Sequence, residues 1–472
     1  MSKEQGSESA VSRSQPIKEE EMAKEKEAPK KVSRRQFVKG AAVGGAGVAA
    51  AGVLASCAPA AAPTTAPEAA PTCPPAGECA PCPVSGAGVP ETWDEEADVV
   101  VIGYGTGGIP AAIEAHDAGA DVLVIEKADW LGGCMRRCLG TIFGGPTIVQ
   151  KAVGIEDSAD AVYEYLMACG EGFLDPALMR VWADNCGPNV DWFFEELGAD
   201  MGEYKLVSTL DNQNPLGPGL KYSHNSYEKY GLPTVARAHT VKAVPVEDMG
   251  TFPIYYDGKD GRHPPEMSAG TGIFKAFDDA AKARGIRTMT LTPLVSLVAN
   301  CDGEVLGVKA LTGGEPITED RLLQESQPIQ VITGWTGAKE IYIKAKRGVV
   351  VSTGTWVQNE KMIENYLTEY PDIPKTNNRH PDNASGEGVI ACDAIGADLV
   401  LMGSPGGRGG VRINPQAQVV SVFGDVIPRL YVAGFTGGGL YWGDISGGAS
   451  ISVCVTFGRI AGQNAAAETS WA

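Results

Sequence analysis

Histidine is scarce in this 472-residue chain. The five residues, His116, His224, His239, His263 and His380, have no second His or Cys at ligand spacing, so metal chemistry is not expected. Serine-hydrolase and nucleic-acid motifs are missing as well. No unit of twenty to fifty residues repeats, which excludes solenoids and propellers. Long apolar runs are also missing: the best candidate, Gly40 to Ser56, is mostly Ala, Gly and Val and falls short of the roughly twenty apolar residues of a membrane span. Basic charge is in deficit. The net charge is −19, and residues 1–56 hold ten Lys and Arg against seven Asp and Glu, leaving 29 basic against 51 acidic side chains beyond them, a balance of −22. Nucleic acid and anionic lipid surfaces are poor partners for such a body, whereas a basic protein could be steered to it.

The N-terminal region reads as an address. Ser33-Arg34-Arg35-Gln36-Phe37-Val38-Lys39 resembles the twin-arginine export motif, and Leu54-Ala55-Ser56-Cys57 resembles a lipoprotein cleavage box with Cys57 as the lipidated residue. Residues 1–57 are therefore expected to be a signal peptide. The protein is placed in the periplasm or on the outer face of the cytoplasmic membrane, touching membrane only through a lipid anchor. Residues 58–92, rich in Ala, Pro and Thr, are expected to form a tether. Cys79-Ala80-Pro81-Cys82 lies in it with no His following, which does not support haem attachment; a small disulfide is the expectation.

What is present is most specific at residues 98–126. Asp98-Val-Val-Val-Ile-Gly103-Tyr-Gly105-Thr-Gly107-Gly108 leads into a helix from Ile109 to about Ala118. A second apolar run, Val122 to Ile125, ends on Glu126, twenty-three positions after Gly103. This is the pattern of a dinucleotide-binding βαβ unit. Gly103 permits the tight turn, Gly105 lets backbone approach a pyrophosphate, and Gly108 lets the helix pack on the strand. Glu126 is placed to accept ribose hydroxyls, and the helix N-terminus faces the phosphates.

Strands near Ala345 to Thr353 and Leu430 to Ala433 match the N-terminal ones. Between them, Ala159, Val162, Tyr163, Leu166 and Met167 share a helical face, as do Val190, Phe193, Phe194 and Leu197 in the segment following Pro188. Tyr204 to Pro265 reads as irregular, binding-loop structure. Gly272 to Arg284 reads as helix, and Leu291 to Val298 as strand. The expected fold class is α/β: a Rossmann-like cofactor domain built from 93–200 and 341–472, with an inserted α+β substrate, or capping, region at 201–340.

The chain resembles the flavoprotein family of fumarate reductase flavoprotein subunits, urocanate reductases and 3-ketosteroid dehydrogenases. The likeness rests on Val99 to Lys127, on Gly270 to Leu297 and on Gly348 to Gly354. It rests most on Arg429 to Gly462, with Leu430-Tyr431-Val432-Ala433-Gly434, Ser446-Gly447-Gly448-Ala449 and Phe457-Gly458-Arg459-Ile460-Ala461-Gly462. The resemblance implies FAD as cofactor. Its expected contacts are Gly103, Gly105, Thr106, Gly107, Gly108, Glu126, Lys127, Gly132, Gly133, Gly354, Gly434, Gly447, Gly448 and Ala449. It also implies hydride transfer at an activated carbon–carbon bond of an unsaturated acid, enone or steroid-like substrate, with a cytochrome or quinol-type redox partner.

The departures are informative. Phe435 stands where the family has an acid, and Asp444-Ile445-Ser446 replaces its Asn-Arg, so the dicarboxylate clamp is missing and fumarate is disfavoured. Candidates for handling the proton are Tyr441, His263 in an Arg-His-Pro-Pro loop, and Arg408, with Arg412 as another nearby cation. Two alternatives remain open: an electron-transfer flavoprotein without an organic substrate, and a flavin–dithiol enzyme using Cys134 and Cys138. In the second, Arg136 and Arg137 would lower the thiol pKa values.

Overall fold

The computed structural model describes residues 88–138, 140–207, 218–222, 229–245, 267–323, 327–367, 384–403, 408–442, 445 and 447–471. The export motif, Cys57, the tether cysteines and His263 lie outside the described residues.

Val99 to Ile102 are apolar without alternation because strand β1 (Glu95–Ile102) is covered on both faces. Helix α1 (Gly108–Asp117) and β2 (Val122–Ile125) complete the unit read from sequence. A short β3 (Thr141–Phe143) precedes two helices. In α2 (Ala159–Gly170) the Ser158 hydroxyl accepts from the Ala161 amide. In α3 (Pro176–Glu195) Asp175 caps the N-terminus and Pro176 takes the first turn, where a missing N–H costs nothing. Strands β4 (Leu206–Val207), β5 (Gly219–Lys221) and β6 (Ala238–Thr240) follow, then α4 (Ala269–Ala283). The remaining principal elements are β7 (Arg287–Met289), β8 (Leu294–Ala299), β9 (Val305–Thr312), β10 (Lys339–Val351), β11 (Gln418–Val420), β12 (Val426–Val432) and α5 (Ala449–Ala467).

An eight-stranded sheet runs β8-β9-β10-β1-β2-β7, with β12 pairing along the far end of β10 and β11 pairing with β12. Strands β12, β10, β1, β2 and β7 are parallel neighbours, while β8 and β9 join antiparallel. The α/β class holds, but the boundaries differ from the sequence reading. Strands β7, β8 and β9 lie inside the stretch 201–340 assigned to the insertion, yet they extend the cofactor sheet. A second sheet, β3-β6-β5-β4, draws β3 from the stretch assigned to the cofactor domain. Sequence order misleads here because the pairing partners are far apart along the chain.

Pro188 does not start a helix; it sits inside α3, which runs through it. Neighbouring Gly187 lets this turn approach the Gly145-Pro146 backbone: a Cβ on it would lie 2.1 Å from the Pro146 carbonyl oxygen. On α2 the fully buried face is Val162, Tyr165, Leu166 and Cys169, with Tyr163 and Met167 partly buried against the same core.

Helix α5 lies directly against α1. A Cβ on Gly458 would sit 2.4 Å from the Gly107 carbonyl oxygen, and one on Gly462 2.1 Å from that of Ala111. The glycines of Phe457-Gly458-Arg459-Ile460-Ala461-Gly462 thus serve a backbone-to-backbone approach. Polar contacts fix the register: Arg459 Nε donates to Glu114 (2.6 Å), Trp182 Nε1 to Ser452 (2.9 Å) and Asn189 Nδ2 to Thr456 (2.9 Å). Among the described residues no helix is long and apolar enough to cross a membrane.

Candidate cofactor and active site

Four parallel strands end side by side, and their carboxyl ends deliver Gly103–Gly107 (after β1), Glu126–Ala128 (β2), Ser352–Thr355 (β10) and Gly434–Phe435 (β12) to one cavity. Its empty space is about 1010 Å³, counted out to open solvent. This is the edge where α/β sheets bind ligands.

Each glycine has its own reason. Gly103 (φ +100°) turns against Ser352, whose carbonyl oxygen would lie 2.3 Å from a Cβ, and Gly108 lies so close to Gly103 that a Cβ would meet its carbonyl oxygen at 1.9 Å. Gly105 has nothing within 4 Å of a Cβ position; the space it leaves open belongs to the cavity. Gly107 is the N-cap of helix α1 and no side chain caps this end; the Ile109 amide donates to the Gly105 carbonyl at 3.0 Å and Pro110 has none, so an anion would meet the Gly107–Gly108 backbone. Glu126 is held by the Tyr104 and Ala128 amides, each donating to a carboxylate oxygen at 2.9 Å. Burial pushes its carboxyl pKa up, and these amides oppose that shift. Lys127 Nζ donates to Ser385 (2.8 Å) and pairs with Glu387 (2.7 Å), tying the β2 end to the segment after Ala384.

Of the expected cofactor contacts, Gly103, Gly105, Thr106, Gly107, Glu126, Lys127, Gly133, Gly354 and Gly434 line the cavity. Gly108, Gly132, Gly447, Gly448 and Ala449 are not among the lining residues. Gly132 (φ +102°) faces the Phe274 ring. Gly448 (φ +86°) lets β3 approach α5, its carbonyl accepting from the Phe143 amide at 3.2 Å. Sequence reasoning did not assign Trp130, Thr292, Ser352, Thr353 and Cys454, which also line the cavity. Ser352 and Thr353 had a signal, being the two residues after the β10 apolar run. Cys454, in the second turn of α5, had none.

The substrate candidates converge beside Phe435. Its ring meets that of Tyr441 edge to face at 6.0 Å, and the Arg408 guanidinium lies 5.0 Å from the Tyr441 ring centroid. Tyr441 donates its hydroxyl to the Ile445 carbonyl at 3.3 Å. Arg408 is half-buried, and its segment is pinned: the Gly409 carbonyl accepts from Trp356 Nε1 (3.0 Å) and the Val411 carbonyl from the Gly438 amide (2.9 Å). Arg412 is engaged elsewhere, with Asp398 at 2.5 Å. Phe173, about half exposed, stacks on Trp442 with centroids 4.1 Å apart.

A buried polar cluster lies around Asp157 and His239. Asp157 takes two hydrogen bonds from Arg237, at 2.7 and 2.6 Å. His239 contacts Thr147 Oγ1 at 3.0 Å and the Arg237 carbonyl at 3.1 Å, and burial pushes its pKa down to about 4.

The structure does not support thiol activation at Cys138. Burial pushes its pKa up to about 11, and Arg136 is buried with its guanidinium over the Phe274 ring at 4.4 Å. Cys134 and Cys138 are not joined in a disulfide. Among the described residues no three His, Cys, Asp or Glu side chains cluster as metal ligands would.

Residues 98–388 match the model of the family described as FAD binding domain. The acrylate reductase flavoprotein subunit of Shewanella woodyi is 27% identical over 308 residues, covering 65% of this chain and 48% of that protein, so the chain spans about half the length of that relative. The fumarate reductase (cytochrome) of Shewanella frigidimarina is 25% identical over 451 residues, covering 79% and 77%. Among solved structures, the 3-ketosteroid-delta4-(5alpha)-dehydrogenase from Rhodococcus jostii RHA1, in complex with 4-androstene-3,17-dione, superposes with a TM-score of 0.65 at 21% identity, covering 80% of this chain and 98% of that one. The cavity fits an FAD: an uncapped helix N-terminus suits the pyrophosphate, the open face at Gly105 admits it, and a fixed carboxylate at Glu126 suits the ribose.

Proposed function

This chain belongs to the FAD binding domain family, and from that premise we propose an FAD-dependent oxidoreductase that acts at an activated carbon–carbon bond of an organic substrate, outside the cytoplasm. Bound FAD supplies two-electron chemistry, exchanging a hydride equivalent with the substrate. The protein does the rest. The Gly105–Gly108 backbone would hold the pyrophosphate and Glu126 the ribose, with Gly354 and Gly434 lining the same groove. Phe435, Trp442 and Phe173 offer an apolar wall that excludes water. Arg408 holds a carbonyl or carboxylate oxygen of the substrate and polarises it, and Tyr441 exchanges a proton through its hydroxyl with the carbon beside the one that gains or loses hydride.

The observation that carries this reading is the meeting of Arg408 and Tyr441 next to Phe435, a lining residue of the cavity. The lack of a dicarboxylate clamp and the apolar wall favour an enone or monocarboxylate over fumarate. The test is anaerobic mixing of photoreduced protein with enoates, enones and steroids. At least one acceptor should reoxidise the flavin, and Tyr441→Phe should slow that step by about a hundredfold or more while the flavin spectrum persists. Reoxidation by redox proteins alone would establish an electron-transfer flavoprotein instead. The export reading predicts recovery in the membrane fraction with a lipid-modified Cys57 peptide by mass spectrometry; an unprocessed cytoplasmic chain would refute it.

A further inference from the structure

Cys134 and Cys454 are separated by 320 positions in sequence, yet both carry thiols and both line the FAD cavity. They flank the same stretch of it. Cys454 Sγ lies 3.8 Å from where a Cβ on Gly434 would be, and a Cβ on Gly107, the N-cap of α1, would lie 2.7 Å from the Gly434 amide nitrogen. On the other side, Gly133, the neighbour of Cys134, would bring a Cβ to 4.0 Å from Gly105 Cα. Both cysteines therefore belong to backbone segments packed against the Gly105–Gly107 turn, the end of the groove assigned to the pyrophosphate. They also sense each other: after burial, Cys134 is the next influence opposing ionisation of Cys454.

Their surroundings divide the labour. Cys134 is exposed and open to a soluble oxidant, whereas Cys454 is buried, its pKa pushed up by burial, and slow to react alone. The five-residue turn Gly133–Arg137 that carries Cys134 follows Gly132 and begins at Gly133, both at positive φ (+102° and +48°).

We infer that Cys134 and Cys454 form a redox latch on the cofactor groove: joined as a disulfide they bar FAD, and as thiols they admit it. In closing, the Cys134 thiolate attacks a low-molecular-weight disulfide such as oxidised glutathione and releases one thiol. Cys454 then gives up its proton and attacks the Cys134 sulfur, forming the Cys134–Cys454 bond and releasing the second thiol. Two protein thiols are oxidised and one external disulfide is reduced. Linkage makes the effect reciprocal: a disulfide that weakens FAD binding is itself disfavoured by bound FAD.

The test uses the full-length chain, freed of flavin by dialysis and exposed to oxidised glutathione with and without saturating FAD. Peptide mapping should recover a Cys134–Cys454 linked pair, formed at least about tenfold more slowly with FAD present. The oxidised chain should bind FAD about tenfold more weakly or worse, and dithiothreitol should restore binding. In Cys454→Ala, or in Cys454→Val if the smaller residue unsettles α5, no linked pair should form and Cys134 should stop at a glutathione adduct that dithiothreitol removes. Equal FAD affinity before and after oxidation, linkage of either cysteine to a different partner, or both remaining thiols overturns the latch. Failure of the reduced chain to bind FAD would strike the cofactor assignment itself.

Discussion

The cofactor end and the substrate end of this protein are built in opposite ways. The cofactor end is mostly backbone: the Gly103–Gly108 turn into α1, glycines that keep side chains away, and one carboxylate held by two amides. Its first half comes from thirty consecutive residues. The proposed substrate end is side chains alone, with Arg408, Phe435 and Tyr441 from within 34 residues of chain and Phe173 more than two hundred positions away. A site made of backbone tolerates almost no change at its glycines, whereas one made of side chains can be altered residue by residue.

The largest expected effect that would break this contrast is at Gly108. Gly108→Ala places a Cβ 1.9 Å from the Gly103 carbonyl oxygen, and the cost should be about 4 kcal/mol or more in urea unfolding, with loss of flavin. An alanine that folds and binds FAD normally would remove backbone contact as the organising idea.

Next comes the acid sensitivity of the buried cluster around Asp157 and His239. His239 is neutral in the fold, its pKa pushed from 6.5 to about 4, so between those values the unfolded chain binds a proton that the native chain does not. The contribution is complete above about pH 6.5, and about 3 kcal/mol of it is lost as pH falls through 4. Urea midpoints across that range should show the decline, and His239→Gln should flatten it by close to one proton; an unchanged slope would show that His239 is not the titrating group.

Gly105→Val separates the two functions of glycine. With open space around its Cβ position, the variant should melt within about 2 °C of the parent yet bind FAD about a hundredfold more weakly by fluorescence titration. The smallest effect is expected at the half-exposed Phe173. Phe173→Ala should raise KM a few-fold, about 1 kcal/mol, with kcat and FAD content unchanged in steady-state assays on whichever acceptor is found. A collapse of kcat would move Phe173 into the reacting centre.

The legible part of the site was the part with short sequence separation. Residues 98–126 showed strand, turn, helix, strand and acid in order, because each glycine there answers a local demand of the backbone. The helices α2 and α3 were legible as periodicity, but the full inward face of α2 and the start of α3 were not. Which residue of a stripe is buried depends on what lies opposite, and Pro188 is tolerated in α3 beside the close approach of Gly187 to Gly145-Pro146. The glycines at 447 and 448 were read as cofactor contacts from their likeness to a motif. The structure gives Gly448 a packing role against Phe143, a contact across three hundred positions that no local pattern reveals.

By itself the sequence determined that a dinucleotide-binding βαβ crossover begins at Gly103, since that depends on residue identity over a short span, and FAD as the cofactor followed from family likeness. Only tertiary structure decided that β7 to β9 extend the cofactor sheet, that Arg136 is buried with its guanidinium over the Phe274 ring, and that Cys134 and Cys454 line one cavity. Those outcomes depend on which distant surfaces bury one another, and burial is a property of the packed chain rather than of any segment of it.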